Sequence, residues 1–134
     1  KTVEVMGLLD TGNLLRDPLT QTPVIIIQFS AIKELLPESV QSIFEKYKEN
    51  DFQAISAIMD ENISNLKFRL IPYKSLGKEN GVLIGFKPDN VIVKGDENKL
   101  IGDIIVGIYN SNLSSNDNYV ALLHPEMFTD KEVV

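Results

Sequence analysis

Gly7-Leu8-Leu9-Asp10-Thr11-Gly12-Asn13 is the stretch from which the rest of the chain is read. Val3, Val5, Gly7 and Leu9 lead into it with period-two spacing, and the apolar Met6 and Leu8 fill the alternate positions. That pattern predicts a strand buried on one face and partly on the other, ending at an acid. Downstream, Asp17-Pro18 is turn chemistry, because proline presets the dihedral of the second turn position. Val24-Ile25-Ile26-Ile27 is β-branched throughout and predicts a core strand. Strand, turn and strand predict a β-hairpin over Met6–Phe29, with its loop around Asp10–Leu15.

Further along, the periodicity changes. Ser30 is placed to cap a short helix that Pro37 stops, and Val40, Ile43, Phe44 and Tyr47 recur at helical spacing. Asn50-Asp51 breaks that helix, and Asp51 can cap another carrying Phe52, Ile55, Ile58 and Met59. Residues from about 30 to 61 therefore read as a helical insertion. Leu66–Tyr73 and Gly81–Phe86 flank the polar stretch Lys74–Asn80 as a second hairpin. Val91–Val93 and Ile104–Tyr109 predict two more strands, with Gly95–Asn98 as the turn between them. Tyr119–Leu123 predicts a last strand and Pro125–Phe128 a helical turn. The expectation is a single mainly β domain over residues 1–134, a barrel or sandwich with a helical insertion.

The chain has 134 residues, enough for one core but not for two full lobes. Its net charge of −6, with no basic cluster, argues against nucleic acid and anionic membrane surfaces as partners. It contains no cysteine, which removes disulfides, thiolate nucleophiles and zinc–thiolate sites, and its single histidine leaves little room for a metal site. No metal or cofactor is expected. The chain begins at Lys1 without a signal peptide, and no apolar run approaches the ~18 residues of a membrane span. An excised piece of a longer protein or a processed chain is the expectation.

Two accounts of Asp10-Thr11-Gly12 stand level on the residues alone. One is an ordinary turn, since Asp bonds its own downstream backbone and Gly accepts left-handed dihedrals. The other is the loop of an aspartic protease. There the strand end holds the carboxylate, Gly12 lets amides approach it, and the Thr11 hydroxyl locks the loop. That chemistry needs two carboxyls sharing one proton, one acting as base on a water and the other donating to the substrate carbonyl. The chain has one such motif, and Asp60, Asp89, Asp96 and Asp103 lack the following Thr-Gly. The second aspartate must then come from a second copy across a two-fold axis.

Gly7–Gln28 (GLLDTGNLLRDPLTQTPVIIIQ) resembles the catalytic region of the sporulation sigma-factor-processing peptidases. The likeness continues in Arg69–Gly77, Lys78–Gly81, Leu83–Asp89, Ile105–Asn110 and Ala121–Pro125. The resemblance implies a retropepsin-like acid-protease protomer, active as a homodimer, with Asp10 as the catalytic aspartate and Thr11 and Gly12 completing its loop. It also implies an N-terminal membrane domain in the whole protein, with the protease domain facing the mother-cell cytoplasm. The implied substrate is the inactive sigma-factor precursor, and the implied activator is a secreted forespore signalling protein.

The sequence departs from the retroviral pattern at Asn13, where a small residue is usual, and it has no glycine-rich flap. Asn13, Tyr73, Lys74 and Gly77 are the substrate-cleft candidates, the last three within Ile71–Gly81 as a covering hairpin or a plain surface hairpin. For the apolar-apolar-Gly element under the catalytic loop, Leu83-Ile84-Gly85 and Ile105-Val106-Gly107 compete, and the later position favours Gly107. His124, beside Pro125, reads as a loop or packing residue, and no nucleophile-elbow sequence accompanies it. A non-catalytic binding or dimerisation module that keeps a protease-like fold remains the alternative.

Overall fold

The computed structural model describes residues 1–46, 51–60, 67–74, 80–116 and 118–128. The strands are β1 (Gly7–Leu9), β2 (Val24–Gln28), β3 (Arg69–Lys74), β4 (Asn80–Phe86), β5 (Val91–Val93), β6 (Lys99–Ile101), β7 (Ile105–Tyr109) and β8 (Ala121–Leu123). Helices α1 (Phe29–Ile32), α2 (Glu38–Lys46) and α3 (Phe52–Asp60) lie between β2 and β3, with a 3-10 turn at Lys33–Leu35 and another at Pro125–Phe128. Six strands form one sheet in the order β1-β8-β2-β7-β4-β3, and β5 and β6 form a separate pair. The fold is mainly β with its helices gathered in the expected insertion.

No closed barrel forms among the described residues. Closure requires the two edge strands to hydrogen-bond to each other, and here β1 and β3 end an open sheet. β2 explains how the sheet is filled on both faces. Ile25 and Ile27 face a large cluster with Phe29, Ile32, Val40, Phe44, Ile84, Phe86, Val106 and Ile108. Val24 faces a smaller one with Ile71, Leu83 and Ile105. Two-sided burial accounts for an uninterrupted apolar strand.

The expected Met6–Phe29 hairpin is replaced by a three-strand arrangement. β8 runs parallel to β1 (Gly7↔Ala121, Leu9↔Leu123) and antiparallel to β2 (Ile27↔Ala121), so it lies between them. A third strand satisfies backbone groups on both neighbours that a wide loop would leave unpaired. The chain reverses later than expected, at an Arg16↔Pro23 bridge, where the Asp17 amide donates to the Thr22 carbonyl and Gln21 has φ 62°.

The turn at Gly95–Asn98 leads not to β7 but to β6, a strand the sequence pattern did not mark, which pairs with β5. β7 instead pairs parallel to β2 and antiparallel to β4. The second predicted hairpin is present as the antiparallel β3–β4 ladder, Arg69↔Gly85 through Lys74↔Asn80.

In the helical segment Asp51 caps α3, its Oδ1 accepting the Gln53 amide at 2.8 Å. Ser30 caps nothing, because α1 starts one residue earlier, after an extended Gln28. Pro37 stops the first helical stretch and also opens the next, its carbonyl accepting the Gln41 amide. Val40 and Phe44 are buried one turn apart, and the Phe44 ring stacks on Phe29 at 5.0 Å. Tyr47 lies outside the described residues.

Candidate functional site

Asp10 follows the last residue of β1, so the sheet fixes where its backbone emerges. Its amide donates to the Leu123 carbonyl of β8 at 3.3 Å, and its own carbonyl accepts the Asn13 amide at 2.9 Å, closing a four-residue turn. Within that turn the Gly12 amide donates to Asp10 Oδ1 at 2.9 Å. A Cβ at Gly12 would stand 3.3 Å from the same oxygen, so a side chain there would crowd the carboxylate. Asp10 as a residue is half-buried, its bond to the Gly12 amide is exposed, and Oδ2 bonds to no described group. The arrangement is a carboxylate held from one side with its other oxygen open to a ligand. Thr11 is exposed, and its hydroxyl bonds to no described group.

Asn13 lies beneath this turn, with only 5% of its surface exposed. Its Nδ2 donates to the Val24 carbonyl at 3.0 Å and its Oδ1 accepts the Leu15 amide at 3.1 Å. Both ends of the carboxamide therefore tie the loop to β2 and to itself. β2 hence fixes the floor of the loop, and β8 its side.

The element alongside the Asp10 turn is β8, not β7. A Cβ at Gly7 would come within 2.8 Å of Leu123 Cδ2, so β1 and β8 pack closely just before the carboxylate. Gly107 sits two strands away from β8, on β7, where its Cβ position faces Leu83 and Val24. It bears on the loop at second hand, one route being Val24, the residue whose carbonyl Asn13 holds.

Tyr73 lies across Gly81, where a Cβ would run into its ring, and it packs on the smaller cluster together with Leu15. The covering-hairpin candidate and the Asp10 loop thus share one apolar cluster. Lys74 ends β3, and nothing is described of its side chain. Gly77 lies outside the described residues.

Two features escaped the sequence. Asp17, expected only to shape a turn, has a side chain 4% exposed and receives Arg69 Nη1 at 2.9 Å. Burial alone would raise its pKa. The Leu19 amide, the Arg69 and Thr20 side chains and the Arg69 charge outweigh burial and hold its carboxyl below the usual 3.8. No local signal could pair residues 52 positions apart. The second is His124, which is fully buried immediately after β8, its Nδ1 accepting the Glu126 amide at 3.1 Å. Of its loop and packing readings the burial supports packing, and what the sequence does not show is the unpartnered Nε2.

Among the described residues no group of three or more His, Asp or Glu side chains is gathered to hold a metal ion. No described helix is long and apolar enough to cross a membrane.

The family model for Sporulation factor SpoIIGA (Peptidase_U4) matches residues 1–127. The sporulation sigma-E factor-processing peptidase of Priestia megaterium (strain ATCC 12872 / QMB1551) is 34% identical over 134 residues, covering 99% of this chain and 42% of the relative. The protein of the same name from Bacillus subtilis (strain 168) is also 34% identical, over 99% of this chain and 43% of its own length. The chain thus spans less than half the length of these two relatives. A relative from Bacillus thuringiensis subsp. kurstaki is 33% identical over 98% of this chain and 80% of its own length. No solved structure matches the chain.

Proposed function

The chain belongs to the Sporulation factor SpoIIGA family, and on that premise we propose that it is the peptidase portion of an enzyme that processes a sporulation sigma factor. The observation that carries the proposal is the Asp10 turn, which pins one carboxylate oxygen on the Gly12 amide and leaves the other open at a strand end.

One chain supplies one such aspartate, so the active form pairs two copies. Met6 (69% exposed), Leu8, Leu9 and Leu14 (74% exposed) surround Asp10 in sequence and leave apolar surface for a second copy to cover. In the pair the two Asp10 carboxyls share one proton. One takes a proton from a water as its oxygen attacks the peptide carbonyl carbon. The other gives its proton to the carbonyl oxygen. Collapse of that adduct breaks the C–N bond, the departing nitrogen taking the proton the first carboxyl drew from water while a hydroxyl proton of the adduct returns to the second, which restores the shared proton.

In this reading Thr11 and Gly12 shape the loop and Asn13 holds it from below. Tyr73, Lys74 and Gly77 are the candidates for contact with the substrate. Gly107 supports the loop at second hand through Val24. The fold is read as a retropepsin-like protomer, a reading supported by the Asp-bearing β1 lying beside β8 rather than β2. The substrate is the inactive sigma-factor precursor. A membrane domain N-terminal to this chain and a secreted forespore signal are its further partners.

Co-expression of the full-length protein with the precursor tests the proposal. Asp10→Asn keeps an acceptor for the Gly12 amide, so the fold should persist while cleavage falls by about 10⁴-fold or more. Cleavage by a folded Asp10→Asn protein at the normal rate sinks it.

A further inference from the structure

His124 is the one histidine of the sequence and is 1% exposed. Because Nδ1 accepts the Glu126 amide, the neutral ring carries its proton on Nε2. Nε2 is buried without a hydrogen-bond partner, and a buried unpaired donor is costly enough that its retention needs a reason.

The position of His124 supplies one. Leu123, the residue before it, gives its carbonyl to the Asp10 amide. Glu126, two residues after it, forms an ion pair with Arg16, whose Nη1 also donates to the Gln21 carbonyl. The loop from Asp10 to Arg16 is therefore gripped at both ends by the segment from Leu123 to Glu126. The bond from the Glu126 amide to the His124 ring spans the gap between the two grips.

We propose that His124 is a positioning residue whose neutral ring braces Leu123 against Glu126 and so holds the Asp10 turn in place. The inference rests on Asp10 being the catalytic aspartate. An imidazolium carries N–H on both nitrogens, so protonation would set a donor against the Glu126 amide and release the brace. The charged groups that bear on the ring are Glu126 and Arg16. Burial keeps its pKa below 6.5, with Glu126 opposing and Arg16 adding to that effect. The brace is intact at neutral pH and lost in acid.

The test compares His124→Asn with His124→Leu in precursor cleavage by the full-length protein. The Asn carboxamide can accept the amide two residues on and cannot ionise. The Leu side chain fills space and accepts nothing. His124→Leu should lower kcat about ten- to a hundredfold with KM within about twofold. His124→Asn should keep kcat within about threefold and lose the acid-side fall in rate expected of the wild type as the imidazole takes up its proton. In parallel, the Asp10 and Glu126 amide resonances of the wild-type chain should shift together with the titrating imidazole.

A Leu variant with wild-type kcat overturns the proposal, as does an Asn variant with the wild-type acid limb, or amides indifferent to the imidazole. Should His124→Leu not fold, the Asn variant and the resonances decide. The resonances need no turnover, so a cleaving Asp10→Asn protein would remove the aspartic reading and leave the brace to be judged separately.

Discussion

Gly85 and Gly107 stand opposite one another on a single rung of the β4–β7 ladder. Ile71 and Ile105 close over the first, and Leu83 and Val24 over the second. The two apolar-apolar-Gly segments that compete in the sequence are thus two halves of one packed unit.

Alanine at Gly107 would set its Cβ 3.1 Å from Leu83 Cδ1 and 3.2 Å from Val24 Cγ1, so both must shift. Overpacking of this kind costs about 1–3 kcal/mol. Urea denaturation should show a lower midpoint at unchanged slope. Because Val24 holds Asn13, precursor cleavage should fall as well. Gly85→Ala meets the Val106 carbonyl oxygen at 3.3 Å, a backbone atom, and should be destabilised at least as much. An unmoved midpoint for both variants would contradict this packing.

Asn13→Ala leaves the Val24 carbonyl and the Leu15 amide without the bonds they have now. The loss should be about 1–3 kcal/mol. Asn13→Asp keeps an acceptor for Leu15 but turns a carboxylate oxygen on the Val24 carbonyl. Thermal unfolding should rank the wild type above both. Equal stability of all three would show that the carboxamide does not tie the loop down.

Arg69→Ala strands the buried Asp17 carboxylate and should destabilise by about 2–4 kcal/mol at neutral pH. The pH dependence has a defined sign. The folded pKa of Asp17 lies below its ordinary 3.8, so on acidification the unfolded chain binds the proton first. The stabilisation is complete above pH 3.8 and is lost as pH falls through the folded value. Urea melts across that range should be less acid-sensitive in Arg69→Ala than in wild type. A steeper acid loss in the variant would reverse the assignment.

Leu14 is 74% exposed and sits four residues beyond Asp10. Leu14→Arg should leave protomer stability within about 0.5 kcal/mol. If copies pair around Asp10, it should weaken their association in sedimentation and lower cleavage in proportion. Undiminished pairing and cleavage would move the contact elsewhere.

The features legible from residue order are those governed by neighbours in the chain. The β-branched Val24–Ile27 and the apolar Ile105–Tyr109 make strands, Asp51 caps α3, Pro125–Phe128 turns, and Asp10-Thr11-Gly12 folds back on its own carboxylate. Each depends on dihedral preferences and hydrogen bonds within a few positions. Strand partnership is a different matter. A strand edge offers the same amides and carbonyls to any partner, so nothing in Gly7–Leu9 names β8, and nothing in Val91–Val93 names β6. Burial of polar groups is likewise a property of what packs around them. Asn13, a cleft candidate in the sequence, is buried under the Asp10 loop by its bond to the Val24 carbonyl of β2, and Asp17, a turn residue in the sequence, is buried against Arg69 of β3, 52 positions away.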